Sequence, residues 1–270
     1  MASFVPRPVA RPVAKAGPGR LWLVLLVCAA FLYLPIVTVV VMSFNDGGSA
    51  YTWSGFSFRW YGELVQDRRL MSALGTSLAV AVGATLVATV LGTLLAVGLA
   101  RHARSKLLEA SAMAPAILPD LLLGIGLLSF YYAMSVPKSA MTILLAHAAF
   151  GTAFVVAVVR ARLAGMDISQ EEASRDLGAN AASTFVRITI PAIAPAIVAG
   201  ALLVFTLSLD EFVIAFFTAG PTTQTLPIAI YSMVRVGVTP VVNALAAVLV
   251  VVSIAVVVFA ARSVRRTEKP

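Results

Sequence analysis

Charged residues are sparse along this chain and divide it into long uncharged stretches. Five of these stretches exceed 20 residues, and they lie between Arg20 and Asp46, Arg69 and Arg101, Lys138 and Arg160, Arg187 and Asp210, and Arg235 and Arg262. A helix needs roughly 20 apolar residues to cross a hydrocarbon core about 30 Å thick, and backbone polar groups in lipid must bond within the helix. The pattern therefore predicts an all-α, polytopic membrane protein.

The apolar stretches and their breaks predict six transmembrane helices, which form one domain from residue 21 to residue 261. The predicted spans are 21–43, 74–100, 113–135, 140–160, 192–217 and 241–261. The third is the least regular, because Pro115 and Pro119 interrupt it and Asp120 follows. Residues 44–73 then form an outer segment and residues 161–191 an inner loop. Basic tails flank the domain at 1–20 and 262–270, and the four prolines of the first tail favour disorder.

Composition and charge agree with this picture. The chain is 60% hydrophobic and 12% charged, with a mean hydropathy of +0.96, whereas soluble domains carry about 25% charged residues. The net charge of +8 alone would allow a nucleic-acid partner, but basic residues also collect on the cytoplasmic side of membrane proteins. With both termini inside, the predicted inner segments hold 15 Lys and Arg residues and the outer segments five. We therefore expect a multi-pass protein of the bacterial cytoplasmic (inner) membrane, with both termini cytoplasmic and no nucleic-acid partner.

The inner loop 161–191 carries helix-start and helix-stop signals. Ser169 and Glu172 have the spacing of a capping box, and Gly178 stands where a helix end favours a left-handed residue. Asn180 can cap a second helix. The loop is therefore predicted to be two short helices that meet at a bend near Gly178, with the fifth span beginning after them. Such a pair of short amphipathic helices can fill a groove on a partner protein, or it can be an ordinary loop between two spans.

The residue order of this loop resembles the EAA loop of ABC importer permeases. The matching residues are Glu172-Ala173-Ser174, then Gly178, then Ile188-Thr189-Ile190-Pro191. The family pattern has Ala where this chain has Ser174 and Leu where it has Ile190. The resemblance implies a MetI-like permease architecture in which a short helix of the loop inserts into a cleft on a cytoplasmic ATP-binding subunit. The residues that it implies for coupling to the ATPase are Glu172, Ala173, Ser174, Asp176, Gly178, Ile188 and Pro191.

Further motifs are similar to those of the second permease subunit of spermidine/putrescine importers. They are Ser208-Leu209-Asp210-Glu211, Gly220-Pro221, Leu226-Pro227, the run from Tyr231 to Gly237, Asn243-Ala244-Leu245-Ala246, Phe44-Asn45, Trp60-Tyr61 and Pro119-Asp120. This resemblance extends from residue 21 to residue 261. It implies a small cationic substrate, and a polyamine (spermidine or putrescine) fits best, although permeases for other small organic solutes or ions share much of the pattern.

Three acidic residues in or beside the predicted spans are candidates for the substrate path. Asp210 and Glu211 lie near the outer end of the fifth span, and Asp120 lies in the third. Ionisable residues in a span are costly and usually face a cavity or a partner. The aromatic candidates are Phe130, Tyr131 and Tyr231, and the first two can offer cation–π faces to an amine. Several alternatives stay open. The acids can sit at the membrane interface, pair with Arg235 or cap a neighbouring helix. Asp120 can bond backbone groups freed by Pro119, and the aromatics can be interfacial belt residues.

The sequence also indicates what this chain does not supply. It contains no phosphate-cradling Gly-x4-Gly-Lys-Ser/Thr motif, so we expect no cofactor and no enzyme activity on this chain. The resemblance to ABC importer permeases implies a partner ATPase dimer that binds ATP and Mg, a second homologous permease and an extracytoplasmic substrate-binding protein. One Cys and two separated His residues favour neither a metal site nor an intramembrane enzyme. An ion-coupled secondary transporter is the other alternative, but it predicts an internal duplication that the sequence does not clearly show.

Overall fold

The computed structural model describes residues 18–101 and 105–267, with side chains for 21–101 and 105–255. The helices, in chain order, are α1 (Pro18–Met42), α2 (Arg59–Gln66), α3 (Arg68–Arg101), α4 (Lys106–Ile117), α5 (Asp120–Ala133), α6 (Ala140–Ala164), α7 (Ser169–Asp176), α8 (Ala181–Thr184), α9 (Ile190–Asp210), α10 (Val213–Thr218), α11 (Leu226–Val236) and α12 (Pro240–Thr267). A π turn, Phe185–Thr189, joins α8 to α9. The all-α prediction is confirmed for the described part of the chain. Most of the predicted first tail and the last three residues of the second lie outside it, and α12 continues six residues past the predicted end at 261.

α1 lies at the edge of the bundle and exposes its side chains along most of its length. The exposed residues include Trp22, Phe31 and Leu34, and the helix packs against α12. A helix that is apolar all round is stable when lipid surrounds it, because its backbone groups bond internally and its side chains avoid water. α1 therefore presents a surface suited to a bilayer.

The centre of the bundle is formed by α3, α6 and α9, which pack against one another. α3 contributes a stripe of small residues, and Ala84, Ala88 and Ala96 are completely buried in it. Small side chains let helix backbones approach closely within a membrane. Val155 of α6 and Val204 of α9 fill the space that this approach leaves.

Gly92 marks a close approach of α3 to α6. A Cβ atom at this position would lie 2.6 Å from Val155 Cβ and 3.0 Å from the Thr152 carbonyl oxygen. We expect Gly92→Ala to lower the free energy of unfolding by about 1–3 kcal/mol, the usual range for overpacking. Gly98→Ala on the same helix is the matched control, because its Cβ position is open and alanine favours a helix over glycine by roughly 0.5–1 kcal/mol.

Thermal unfolding of the purified protein in detergent measures this difference. The melting temperature should fall for Gly92→Ala and stay constant or rise for Gly98→Ala. A rise for both variants would contradict the packing of α3 against α6.

The predicted third span, 113–135, is two helices rather than one. α4 ends before Leu118, α5 begins at Asp120, and the two helices are bent by 106°. Pro119 has no backbone N–H to donate and disfavours helical backbone at the residue before it. Leu118 is accordingly extended, with φ −67° and ψ 139°. The prediction of a single helix here is wrong, although the interruption that it noted at Pro119 is where the chain bends.

The fifth predicted span, 192–217, differs at both ends. It begins earlier, because α8, the π turn and α9 form one continuous helix from Ala181. It also stops at Asp210, since Glu211 is extended, with φ −70° and ψ 108°, and the short α10 follows. Within the described residues, four helical segments are long and apolar enough to cross a membrane, or five if the bent pair α4–α5 is one span. The predicted number of six is not reached there.

The start of the outer segment, at residues 45–48, is organised by the buried side chain of Asn45. The Asn45 Oδ1 accepts the backbone N–H of Ser54 at 2.7 Å. Trp60, in the first turn of α2, donates its indole N–H to the Asn45 carbonyl oxygen at 2.6 Å. The outer segment is therefore an ordered cap that joins α1 to α3.

Candidate functional site

The short helix α7 lies in the inner loop, and Asp167 caps its first turn. The Asp167 Oδ1 accepts the backbone N–H of Ser169 at 3.0 Å, and hydrogen bonds from Ser169 lower the pKa of Asp167 below its usual value. The predicted capping box of Ser169 and Glu172 is wrong, because Ser169 is already helical and the N-cap position is occupied by Ile168. An acid just before the helix satisfies a free N–H of the first turn instead, and its charge suits that end of the helix dipole.

The C-terminal end of α7 is closed by Gly178, as predicted. Gly178 has a φ of +84°, in the left-handed region that glycine enters without steric cost. Its N–H donates to the Arg175 carbonyl oxygen at 2.8 Å, and the Ala179 N–H donates to the Ser174 carbonyl oxygen at 3.1 Å. The two bonds form a Schellman motif, which fixes the bend between α7 and α8.

Gly178→Ala should loosen this bend. A side chain at φ +84° costs about 1–2 kcal/mol, whereas the space around the Cβ position is open, so the effect is conformational rather than steric. We expect amide hydrogen exchange of residues 174–180 to accelerate about five- to thirtyfold, which corresponds to that free energy. Gly165→Ala is the matched control, because Gly165 ends α6 with a negative φ of −96°. Equal exchange in Gly178→Ala and the unsubstituted protein would show that the bend does not depend on glycine.

α8 begins at the predicted Asn180 cap, whose Oδ1 accepts the backbone N–H of Ser183 at 2.8 Å. Contrary to the prediction, this helix does not end before the fifth span. In the π turn, the Ile190 N–H donates to the Phe185 carbonyl oxygen, and the helix continues into α9. Pro191 lacks the N–H that would bond one turn back, so the wider turn lies directly before it. π turns within α-helices are frequent at functional sites.

One side of α7 is exposed and carries three of the predicted coupling residues. Glu172, Ala173 and Asp176 lie on it with Leu177, and these four residues are termed the docking face. Leu177 was not predicted, although its apolar side chain is 89% exposed. An apolar residue at the end of a polar helix, directly before Gly178, is the signal that identifies it. The docking face combines the apolar side chains of Ala173 and Leu177 with the carboxylates of Glu172 and Asp176.

The remaining predicted coupling residues lie off the docking face. Ser174 is half-buried, and its hydroxyl bonds the hydroxyl of Thr184 at 3.1 Å. Gly178 forms the bend. Ile188 lies in the π turn, and Pro191 lies in the first turn of α9. These residues occupy the connection between α7 and α9 rather than the docking face.

Glu171 is buried on the opposite side of α7, and the sequence prediction missed it. Glu171 is 5% exposed. Its carboxylate forms an ion pair with Arg101 at the end of α3 and accepts a hydrogen bond from Thr189 in the π turn. Arg101 lies 70 residues earlier in the chain, so no local spacing indicates the pair. The sequence signal for a buried glutamate here is a pair of adjacent glutamates on a short helix. Neighbouring residues of a helix point in different directions, so one of the two can face inward.

At the far end of α9, three carboxylates lie close together and are termed the acid group. Asp120 opens α5 after the bend, Asp210 ends α9, and Glu211 follows it. α5 packs against α10, which begins two residues after Glu211, and this contact places Asp120 in the same region of the bundle as Asp210 and Glu211. The Glu211 Oε1 accepts the backbone N–H of Ile214 at 2.8 Å, so one of the open alternatives, helix capping, is observed for Glu211.

No ion pair neutralises the acid group within the described part of the chain. The three ion pairs found there use Glu63, Glu109 and Glu171, so the alternative pairing with Arg235 is not observed. Asp120 and Asp210 are exposed and Glu211 is partly exposed. The breaks in two helices thus bring together three accessible negative charges.

The aromatic candidates divide into two kinds. Tyr231 packs against Phe212, the residue after Glu211, with ring centroids 4.9 Å apart, and its side chain is partly open. Phe130 is exposed near the end of α5. Tyr131 is buried instead, and its hydroxyl donates to the Thr142 carbonyl oxygen at 3.0 Å. Burial makes Tyr131 a packing residue, and we do not retain it for an accessible path.

Comparison with known proteins gives the family. The family described as "Binding-protein-dependent transport system inner membrane component" matches residues 88–269. The chain is 44% identical over 244 residues to the putrescine transport system permease protein PotI of Escherichia coli strain K12, covering 87% of this chain and 86% of that protein. It is 38% identical over 231 residues to the spermidine/putrescine transport system permease protein PotC of the same strain, covering 85% and 88%.

A solved structure supports the fold. A chain of a bacterial alginate ABC transporter, crystallised in complex with an alginate pentasaccharide-bound periplasmic protein, superimposes with a TM-score of 0.70 at 18% identity, covering 93% of this chain and 94% of that one. The chain therefore belongs to the family of inner-membrane components of binding-protein-dependent transport systems. The resemblance to ABC importer permeases, and among them to those of spermidine/putrescine systems, is confirmed.

Proposed function

We propose that this chain forms, with a second homologous permease, the path by which a polyamine crosses the bacterial inner membrane. The 44% identity to PotI over 87% of the chain carries the proposal. ATP hydrolysis on a separate ATPase dimer drives the transport, and an extracytoplasmic binding protein delivers the substrate.

The acid group supports a cationic substrate. Its three carboxylates are accessible and unpaired among the described residues, and unpaired charge at membrane depth is costly unless it serves a ligand or a cavity. A polyamine carries two or more ammonium groups, each of which can meet a carboxylate. Tyr231, which is joined to the acid group through Phe212, offers an aromatic face to the aliphatic chain or to an ammonium group. Asp120, Asp210 and Glu211 are therefore the residues we assign to the substrate path, with Phe130 and Tyr231 beside it.

The docking face supports the assignment of energy coupling to α7. The docking face is exposed and carries both apolar and acidic side chains. The bend at Gly178 holds α7 in its position relative to α8. We assign it the contact with the ATPase, on which ATP and Mg bind. Closure of the ATPase dimer moves α7. The π turn and the first turn of α9, which contain Ile188 and Pro191, transmit that movement to α9. The permease then alternates between inward-open and outward-facing states.

The membrane topology completes the proposal. α12 has 28 residues and is roughly 42 Å long at 1.5 Å per residue, enough to supply a sixth span across about 30 Å. Six spans place both termini on the same side, and the excess of basic residues assigns that side to the cytoplasm. The outer segment and α11 then face the binding protein, and α7 faces the ATPase.

A ligand screen on the binding protein that co-purifies with this permease tests the substrate assignment. Putrescine and spermidine should raise the melting temperature of the binding protein, because a ligand that binds only the folded state stabilises it. Neutral sugars and oxyanions at the same concentration are the matched controls. Stabilisation by a control solute, with none by either polyamine, would contradict the assignment.

A further inference from the structure

Glu171, Arg101 and Thr189 form a buried polar junction at the cytoplasmic end of the bundle. The Arg101 Nη2 donates to Glu171 Oε1 at 3.2 Å, and Arg101 Nε lies 3.2 Å from Glu171 Oε2. The Thr189 hydroxyl donates to Glu171 Oε1 at 3.0 Å. The side chains of Arg101 and Glu171 are 16% and 6% exposed, and Thr189 is buried. One carboxylate therefore joins three elements: α7, the end of α3 and the π turn.

This junction is not explained by stability. The desolvation of a buried ion pair largely offsets its attraction, so apolar residues in its place are often as stable or more stable. The other two described ion pairs, Arg59–Glu63 and Arg160–Glu109, are far more exposed and contribute little. A buried pair instead fixes the relative position of the elements that it joins, because moving one partner alone leaves a buried charge unpaired.

The three elements that Glu171 joins have different structural roles. α7 presents the docking face on its other side, α3 lies at the centre of the bundle with α6 and α9, and the π turn is the wide turn at the base of α9. Ser174 adds a hydrogen bond from α7 to Thr184, but that bond reaches α8 and not α3. The Glu171 carboxylate is thus the charged contact through which a displacement of α7 reaches α3 and α9 together.

We propose that Glu171 is the positioning residue that couples movement of the docking face to the membrane helices, with Arg101 and Thr189 as its two anchors. The inference rests on the proposed contact of α7 with the ATPase. Glu171 does not touch the ATPase. It makes the docking face and the ends of α3 and α9 move as one body, so that ATPase closure is converted into a change of the substrate path.

Glu171→Gln tests the proposal in the assembled transporter. Glutamine keeps the size of the side chain and one oxygen acceptor but leaves the Arg101 charge without a partner. The docking face is unchanged, so the ATPase should co-purify as before and still hydrolyse ATP. The amount of putrescine taken up per ATP hydrolysed in proteoliposomes should fall about tenfold, within the usual range of coupling between sites. Glu63→Gln, which breaks the exposed pair with Arg59 on the outer segment, is the control and should leave this ratio unchanged.

Two further variants separate coupling from folding. The exchanged pair Arg101→Glu with Glu171→Arg restores a charge contact and should recover at least half of the ratio. Thr189→Val keeps the shape of the anchor but removes its hydrogen bond, and it should lower the ratio about two- to tenfold, as the loss of one net hydrogen bond would. An unchanged ratio in Glu171→Gln would overturn the inference. If that variant is not recovered in membranes, an unchanged ratio in Thr189→Val would overturn it, and a lowered ratio would support it.

The outcome is distinct from a failure of the proposed function. If the unsubstituted transporter binds no ATPase or takes up no polyamine, the proposed function itself is wrong. If it does both and Glu171→Gln keeps its full ratio, only the positioning role is wrong.

Discussion

Replacing Glu172 with lysine is expected to reduce co-purification of the ATPase at least about tenfold and to abolish ATP-driven uptake. Glu172 lies on the exposed side of α7, and the described ion pairs do not include it. Its charge is therefore free to meet a partner. A surface complementary to the carboxylates of the docking face would meet a lysine as a like charge, and such a juxtaposition costs several kcal/mol. Affinity purification of the permease followed by quantification of bound ATPase measures the effect.

The control for this prediction is Glu63→Lys. It makes the same charge change on the outer segment, where Glu63 is exposed in α2, so the ATPase should be retained. Leu177→Ser should give an intermediate loss of the ATPase because it removes the larger of the two apolar side chains of the docking face. Full ATPase retention and full uptake in Glu172→Lys would show that the docking face is not the contact.

Removing charge from the acid group is expected to give the second large effect. Glu211→Gln and Asp210→Asn should each lower the rate of putrescine uptake about tenfold, and the double variant more, because a hydrogen bond to a charged group contributes roughly 1.5–3 kcal/mol. Glutamine can still accept the Ile214 N–H that Glu211 accepts, so the cap of α10 is kept while the charge is lost. Initial rates of labelled putrescine uptake at saturating binding protein measure the change.

Two observations separate substrate contact from general damage. Glu63→Gln removes a carboxylate of similar exposure from the outer segment and should leave the uptake rate unchanged. ATPase retention should be normal in all acid-group variants, because the acid group lies at the opposite end of α9 from α7. Uptake at the normal rate in the double variant would remove the acid group from the substrate path.

Local chemistry determined which parts of the inner loop were predictable. Gly178 and Asn180 were placed correctly because a left-handed residue and a side-chain cap each act within a few residues of the chain. The start of α7 was misassigned because Ser169 has capping-box spacing to Glu172, whereas Asp167, outside the helix, accepts the Ser169 N–H. Two caps that satisfy one helix end cannot be ranked from spacing alone.

Long-range contacts explain what the sequence does not reveal. Glu171 and Glu172 are identical neighbours, and contacts with the distant Arg101 and Thr189 distinguish the buried one from the exposed one. The acid group likewise depends on two helix breaks. Pro119 signals the first, but the chain near Asp210 has no proline or glycine to signal the second. The proximity of Asp120 to Glu211 therefore follows from the packing of α5 against α10, which no periodicity of either segment predicts.

The central claim is that ATP hydrolysed on a partner drives a polyamine through this permease. The most direct test is uptake of labelled putrescine into proteoliposomes that hold the complete transporter, with ATP supplied on the ATPase side and the binding protein on the other. We predict uptake that requires ATP, stops when the ATPase cannot hydrolyse it, and is inhibited by excess spermidine. Putrescine accumulation that follows an ion gradient and persists without ATP, or ATP-driven uptake of another solute that polyamines do not inhibit, would contradict the account.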